Sequence, residues 1–154
     1  MARVESVNVS DGGVPKAAVA EALITKEGLA GDRQRDRRFH GGPDRAVTLF
    51  SAERIDLLRA EGHPIEAGST GENLTVSGLD WDAVGPGSRL RVGTAELEVT
   101  RYAAPCANIR GSFVGGDFER LSQERHPGWS RVCARVLREG LARAGDAVEI
   151  LPKA

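Results

Sequence analysis

The chain is poor in cysteine, carries almost no net charge and has no long apolar run, and each shortage removes a class of protein. Two cysteines in 154 residues cannot build a disulfide scaffold, although a single bridge between Cys106 and Cys133 stays open with nothing local to favour it. No segment approaches the roughly 18 consecutive apolar residues of a membrane span. The opening M-A-R-V-E-S-V-N-V-S lacks the apolar stretch of a signal peptide. A cytoplasmic protein without a membrane partner is the expectation. Twenty-one basic against 22 acidic residues leave a net charge of −1, so the chain as a whole is not built to coat nucleic acid. Repeats, low-complexity tracts and linkers are missing as well. A hydrophobic fraction of 40% with 28% charged residues describes an ordinary globular chain, long enough for one domain over residues 1–154 with a core of its own.

What is present is a series of short apolar segments between glycine turns. Arg3 to Val9 reads as a strand of imperfect period two, ended by Asp11-Gly12-Gly13, and Val19 to Thr25 as a second strand or a helical turn. Ala46 to Phe50 is a cleaner strand. Ser51 then caps a helix to about Glu61, with Glu53 in its first turn and Ile55 and Leu58 toward the core. Strands follow at E-N-L-T-V-S-G and Ser88 to Val92. Gly93-Thr94 makes a tight hairpin into Ala95 to Arg101, where Leu97 and Val99 share a face. Phe118 to Glu124 reads as a short helix, Trp129 to Leu137 as a strand with Val132, Ala134 and Val136 on one side and Cys133 on the other, and Ala147 to Leu151 as the closing strand. About seven strands and at most two helices predict a mostly β fold, an antiparallel β-barrel with a few short helices.

Three stretches carry residues that a plain scaffold would not call for. Arg101 to Arg110, R-Y-A-A-P-C-A-N-I-R, places Cys106 after Pro105 at the end of the hairpin strand. Proline cannot donate to a ladder, so this cysteine belongs on a stiff loop. Flanking cations favour the thiolate, the form that attacks electrophiles and binds soft metals. A small buried hydrophobe is the competing reading, and on this stretch alone the two stand level. The loop Gly31 to Asp44 concentrates Arg33, Arg35, Arg37 and Arg38, with Arg45 just beyond, and ends in His40-Gly41-Gly42. Arginine forks suit oxyanions, and paired glycines allow close backbone approach. A solvated charged loop is the bland alternative for the arginines, and a histidine bonded within its own loop for His40. Gly71-Glu72-Asn73-Leu74 puts a carboxyl and an amide at a strand entrance; the amide donates and accepts at once, or merely stabilises the turn.

The motifs G-D, H-G-G-P-D-R-A-V, G-E-N-L-T, L-R-V-G-T-A-E-L-E-V-T and P-C, in this order and over most of the chain, resemble the MOSC domain, the module at the C-terminus of molybdenum-cofactor sulfurases. With no long N-terminal extension, the chain looks like the stand-alone bacterial branch, which includes proteins linked to resistance against N-hydroxylated purines. The resemblance implies a β-barrel and a bound molybdenum cofactor, a molybdopterin. It implies Cys106 as the protein's ligand to the metal or as a carrier of transferable sulfur. Carried onto this sequence it marks His40, Gly41, Gly42, Glu72 and Asn73 as site residues. Arg37, Arg38, Arg101, Asn108 and Arg131 join them as candidate cofactor contacts, and His40 joins Cys106 as a catalytic candidate. Cys133 lies outside the motifs and is left as a core or strand residue.

Three functions compete at this stage. The first is an oxidoreductase that removes oxygen from N-hydroxylated bases or amines, taking a small-molecule substrate and drawing electrons from a separate donor protein, since no flavin or iron–sulfur motif is seen. The second is a carrier of the cofactor or of sulfur on Cys106. The third pairs Cys106 with His40 as thiolate and base in a metal-free transferase or hydrolase. An oligomer is left open.

Overall fold

A computed structural model describes residues 1–33 and 42–152. The first strand, β1 (Arg3–Val9), has its apolar residues Val4 and Val7 three apart, which strict alternation would place on opposite faces. A register shift between Val4 and Ser6 absorbs the odd residue, so that Val4 pairs with Val76 and Val7 with Leu74 and both are buried. The imperfect period of the sequence is thus a bulge. β2 (Ala17–Val19) pairs with β1, and β3 (Glu21–Thr25) turns into the short β4 (Gly28–Leu29). What the pattern read as one element from Val19 to Thr25 is split at Ala20 between two sheets.

β5 (Val47–Ser51) runs into α1 (Ala52–Ala60), the one α-helix among the described residues. Ser51 caps it as expected, its hydroxyl accepting from the Arg54 N–H at 3.2 Å, and Ile55 and Leu58 are its buried residues. No helix among the described residues is long and apolar enough to cross a membrane. The chain returns as β6 (Leu74–Ser77), parallel to β5, because a helical crossover brings it back to the same end of the sheet. β7 (Arg89–Val92) and β8 (Ala95–Tyr102) form the expected hairpin. β9 (Val132–Arg138), β10 (Gly140–Arg143) and β11 (Val148–Leu151) complete the set.

The mostly β fold predicted from the sequence is found, but among the described residues it is a mixed sheet with a parallel β5–β6 pair and no closed antiparallel barrel. An eight-stranded mixed sheet has the order β11-β7-β8-β9-β5-β6-β1-β2, and β10-β3-β4 make a separate three-stranded sheet. The large sheet curls far enough for an isolated bridge from Arg3 to Ala147, but no ladder joins its ends among the described residues. β10 went unread because its G-L-A-R offers one large apolar residue and pairs with β3, more than a hundred positions away. The strand expected from Trp129 starts only at Val132. Trp129 instead packs against two guanidiniums, Arg54 at 4.9 Å and Arg120 at 4.1 Å from its ring centroid. The helix expected at Phe118 to Glu124 is a 3-10 turn, Phe118–Leu121.

Candidate functional site

Where β8 meets β9, the sheet has two more irregularities, one between Glu96 and Leu97 and one, at the site, between Val99 and Arg101. Val99 pairs with Ala134 and Arg101 with Cys133, so one residue on β9 is advanced for two on β8 and Thr100 is the extra. Strict alternation would send Arg101 to the core side with Leu97 and Val99. The bulge sends it to the face of Cys133 instead, and Thr100 Oγ1 holds the distortion by donating to the carbonyls of Asp44 and Cys133. On the other flank of β9, Cys133 pairs with Thr48. Thr48, Cys133 and Arg101 therefore form one row across three strands, facing away from Val47, Ala134 and Val99, which are buried in the core.

That row is the floor of a cavity of about 440 Å³. Its walls bring together Lys16, Arg45, Thr70, Gly71, Asn108 and Arg131 with the run Tyr102 to Cys106. Among the described residues, four cationic side chains and two thiols line it and no carboxylate does. Cys106 is partly exposed on the loop that leaves β8, just before a 3-10 turn at Ala107–Ser112. Arg131 is 7% exposed; its guanidinium donates to Thr70 O at 2.6 Å and to Ala104 O at 3.4 Å, which ties down the loop two residues before Cys106. Its buried Nε–H has no hydrogen-bond partner among the described residues. Burial pushes this guanidinium below its ordinary range, against the pull of nearby groups of which Cys133 is the first. Burial likewise pushes the Cys133 thiol up, opposed by Arg131, a hydrogen bond with Thr48, and Arg45 and Arg101.

Among the residues expected at the site, Cys106, Arg101, Asn108 and Arg131 meet in this cavity. Gly42, at φ +94°, leads into a 3-10 turn at Pro43–Arg45 and is not among the lining residues. Arg37, Arg38, His40 and Gly41 lie outside the described residues. Glu72 and Asn73 are fully buried behind the wall, not in it. Glu72 accepts from the hydroxyls of Thr70 at 2.9 Å and Thr75 at 3.0 Å, and burial raises its carboxyl above the usual range despite backbone N–H and hydroxyl donors. Asn73 Nδ2 donates to Asp32 at 2.9 Å while its Oδ1 accepts from the Thr48 N–H at 3.0 Å. Lys16, Thr48 and Cys133 were not foreseen. Cys133 had been seen to face away from the core residues of its strand, but nothing in the pattern said what lay on that side.

A family model described as the MOSC domain matches residues 36–149. The chain belongs to the MOSC domain family. Among its MOSC relatives is the uncharacterized protein YflK of Bacillus subtilis, 30% identical over 146 residues, 94% of this chain and 65% of that protein. Protein YiiM of Escherichia coli is 34% identical over 108 residues, 67% of this chain and 48% of its own length. A Gibberella moniliformis protein named a reductase is 28% identical over 120 residues, 74% of this chain and 21% of its own. The chain thus spans less than two thirds of each of these relatives. Among solved structures, YiiM of Geobacillus stearothermophilus superposes with a TM-score of 0.77 at 25% identity, over 99% of this chain and 76% of that one. MOSC domains are associated with the molybdenum cofactor.

Proposed function

We propose that this MOSC chain binds the molybdenum cofactor in the cavity beneath Cys106 and serves as an oxidoreductase that reduces N-hydroxylated bases or amines. The observation that carries the reading is a partly exposed thiol, Cys106, at a cavity lined by Lys16, Arg45, Arg101 and Arg131 and, among the described residues, by no carboxylate. The donor set fits the group. A soft metal takes a thiolate, and an oxyanion takes arginine forks, of which Arg131 has a buried Nε–H to spare. Among the described residues no three histidine, cysteine or acidic side chains gather as a metal cage, so Cys106 is proposed as one ligand beside those the cofactor brings. When bound, the cofactor supplies two-electron chemistry at a metal held by sulfur.

The remaining work falls to this chain's side chains. Cys106 fixes one end of the bound group at the rim. Arg131 holds the Cys106 loop through Ala104 and presents its free N–H, while Arg101, turned inward by the Thr100 bulge, adds a second fork. The overall reaction, R–NH–OH + 2e⁻ + 2H⁺ → R–NH₂ + H₂O, needs electrons from a separate donor protein, proposed here as a partner. The name of the Gibberella relative, a reductase, supports the reductase reading.

Molybdenum per chain, measured on protein purified from cells that make the cofactor, tests this for the wild type and for Cys106→Ser. Stoichiometric metal that is lost in the variant, together with reduction of a hydroxylamino compound under an artificial electron donor, is the expected result. Metal bound without turnover would replace the reductase by a carrier. Absence of metal from both proteins would overturn the reading.

A further inference from the structure

The chain that leaves β8 is free of acid. From Val99 to Gly116 it holds no aspartate or glutamate, while Arg101 and Arg110 stand on either side of Cys106. Both arginines are exposed, and neither is in an ion pair among the described residues. Carboxylates from other segments are already matched: Asp44 lies 3.6 Å from Arg135, Asp11 lies 3.8 Å from Arg33, and Asp32 is buried 2.6 Å from the Lys16 ammonium. A local surplus of positive charge therefore surrounds Cys106, which the net charge of −1 conceals.

The same segment holds an apolar residue out in water. Val114 is 60% exposed, more than any other large apolar residue but Met1 among the described residues. Its position is fixed from several sides. The Ile109 N–H donates to Cys106 O at 3.1 Å, and Ile109 is buried while Arg110 beside it faces out. Ser112 Oγ donates to Ser69 Oγ at 2.8 Å, and the Val114 N–H donates to His63 Nδ1 at 3.1 Å. Gly115 and Gly116, at φ +67° and +73°, then turn the chain back, so that a Cβ on Gly116 would lie 3.7 Å from Cβ of Arg110. Arg110 and Val114 thus share one knuckle, next to Cys106, Asn108 and Ile109, which line the cavity.

An apolar point among unpaired cations is the anatomy of a docking patch for an acidic protein: the charges speed encounter and the apolar contact lengthens it. Nucleic acid would call for a basic stripe that tracks a backbone, whereas here acids resume at Asp117 and Glu119. The reaction set out above also needs two electrons from outside the chain. We propose that this face is the docking surface of the electron donor, and that the donor is a small acidic redox protein, a flavin or iron–sulfur carrier, seated on Arg101, Arg110 and Val114. The proposal rests on the reductase reading and names its partner by charge. With a flavin carrier the sum is R–NH–OH + FlH₂ → R–NH₂ + H₂O + Fl, which supplies both electrons and both protons.

A reduced flavodoxin and an acidic ferredoxin are the probes, and their association with the cofactor-loaded chain is followed by surface plasmon resonance at low and at physiological ionic strength. At least one is expected to associate on the order of tenfold faster at low salt. Arg110→Glu is expected to remove most of that gain. Arg138→Glu, the same charge change at an exposed position on the last residue of β9, is expected to keep it. Val114→Ser should shorten the life of the complex without slowing its formation. Association of neither carrier, or equal slowing by Arg110→Glu and Arg138→Glu, would overturn the proposal. So would a single-stranded oligonucleotide that binds in place of the carriers and is lost in Arg110→Glu. Turnover with photoreduced riboflavin, an uncharged donor that needs no docking face, keeps the two readings apart: it is absent if the chain is no reductase, and it persists in Arg110→Glu when docking alone is lost.

Discussion

Gly68→Ala places a single methyl against the backbone of Lys16, a residue that lines the cavity. Gly68 has φ +82°, and a Cβ built on it would stand 2.4 Å from the carbonyl oxygen of Lys16 and 3.2 Å from Cγ of Asn8. Two costs follow. Alanine in the left-handed region loses about 1–2 kcal/mol. The overlap is with backbone, so Lys16 must retreat by about 1 Å to restore ordinary contact, and overpacking of this kind costs about 1–3 kcal/mol more. The sum, about 2–5 kcal/mol, is a large part of the roughly 5–15 kcal/mol that holds a domain folded. Gly145→Ala isolates the first cost, because Gly145 has φ +93° with nothing within 4 Å of its would-be Cβ. Urea unfolding of both variants, extrapolated linearly to water, should place Gly68→Ala about 1–3 kcal/mol below Gly145→Ala. Equal stabilities would refute the claim that Gly68 is held by the approach of the Lys16 backbone.

Other expectations follow from the same wall. Titration of the native protein with an aromatic disulfide should show one fast thiol, Cys106, and one slow one, since Cys133 is buried and burial raises its thiol above the usual range; Cys106→Ser should abolish the fast phase, and two fast thiols would contradict the assignment. For Glu72 the folded carboxyl lies above its unfolded value, so its contribution is fully present below the usual glutamate range and is lost as pH rises through the folded value. Urea stability measured across that window should fall with pH more steeply in the wild type than in Glu72→Gln, and parallel profiles would remove the burial argument.

Local signals in the sequence were read correctly where the cause was itself local. Ser51 before a helical stripe, Gly93-Thr94 between two alternating runs and Pro105 before Cys106 each fix a few neighbouring dihedrals, and each is found as expected. The misses share a physical reason. A bulge is one residue of slip, set by which register buries more of the partner strand, and period-two counting cannot see it; hence Arg101 was placed without knowing that Thr100 would turn it to the cavity. Asn73 and Glu72 drew attention as polar residues at a strand entrance, but their partners Asp32, Asn8, Thr70 and Thr75 show roles behind the wall. Lys16 carried no local signal at all, because what gives it meaning is a carboxylate sixteen residues away and an amide fifty-seven away. The parallel β5 and β6 pair, likewise, depends on how the helix returns the chain and not on either strand's composition.

The cavity draws its walls from Lys16, Thr48, Thr70, Cys106 and Arg131, so it exists only when the first and last thirds of the chain have met. A molecule lodged there has no reduced version of its site to cling to in the unfolded chain, and its full binding energy is added to the stability of the whole fold. A ligand at a hundred times its dissociation constant adds about 2.7 kcal/mol in this way. Occupancy and heat resistance are therefore one property measured twice: the melting temperature of the purified chain reports how much of it is loaded.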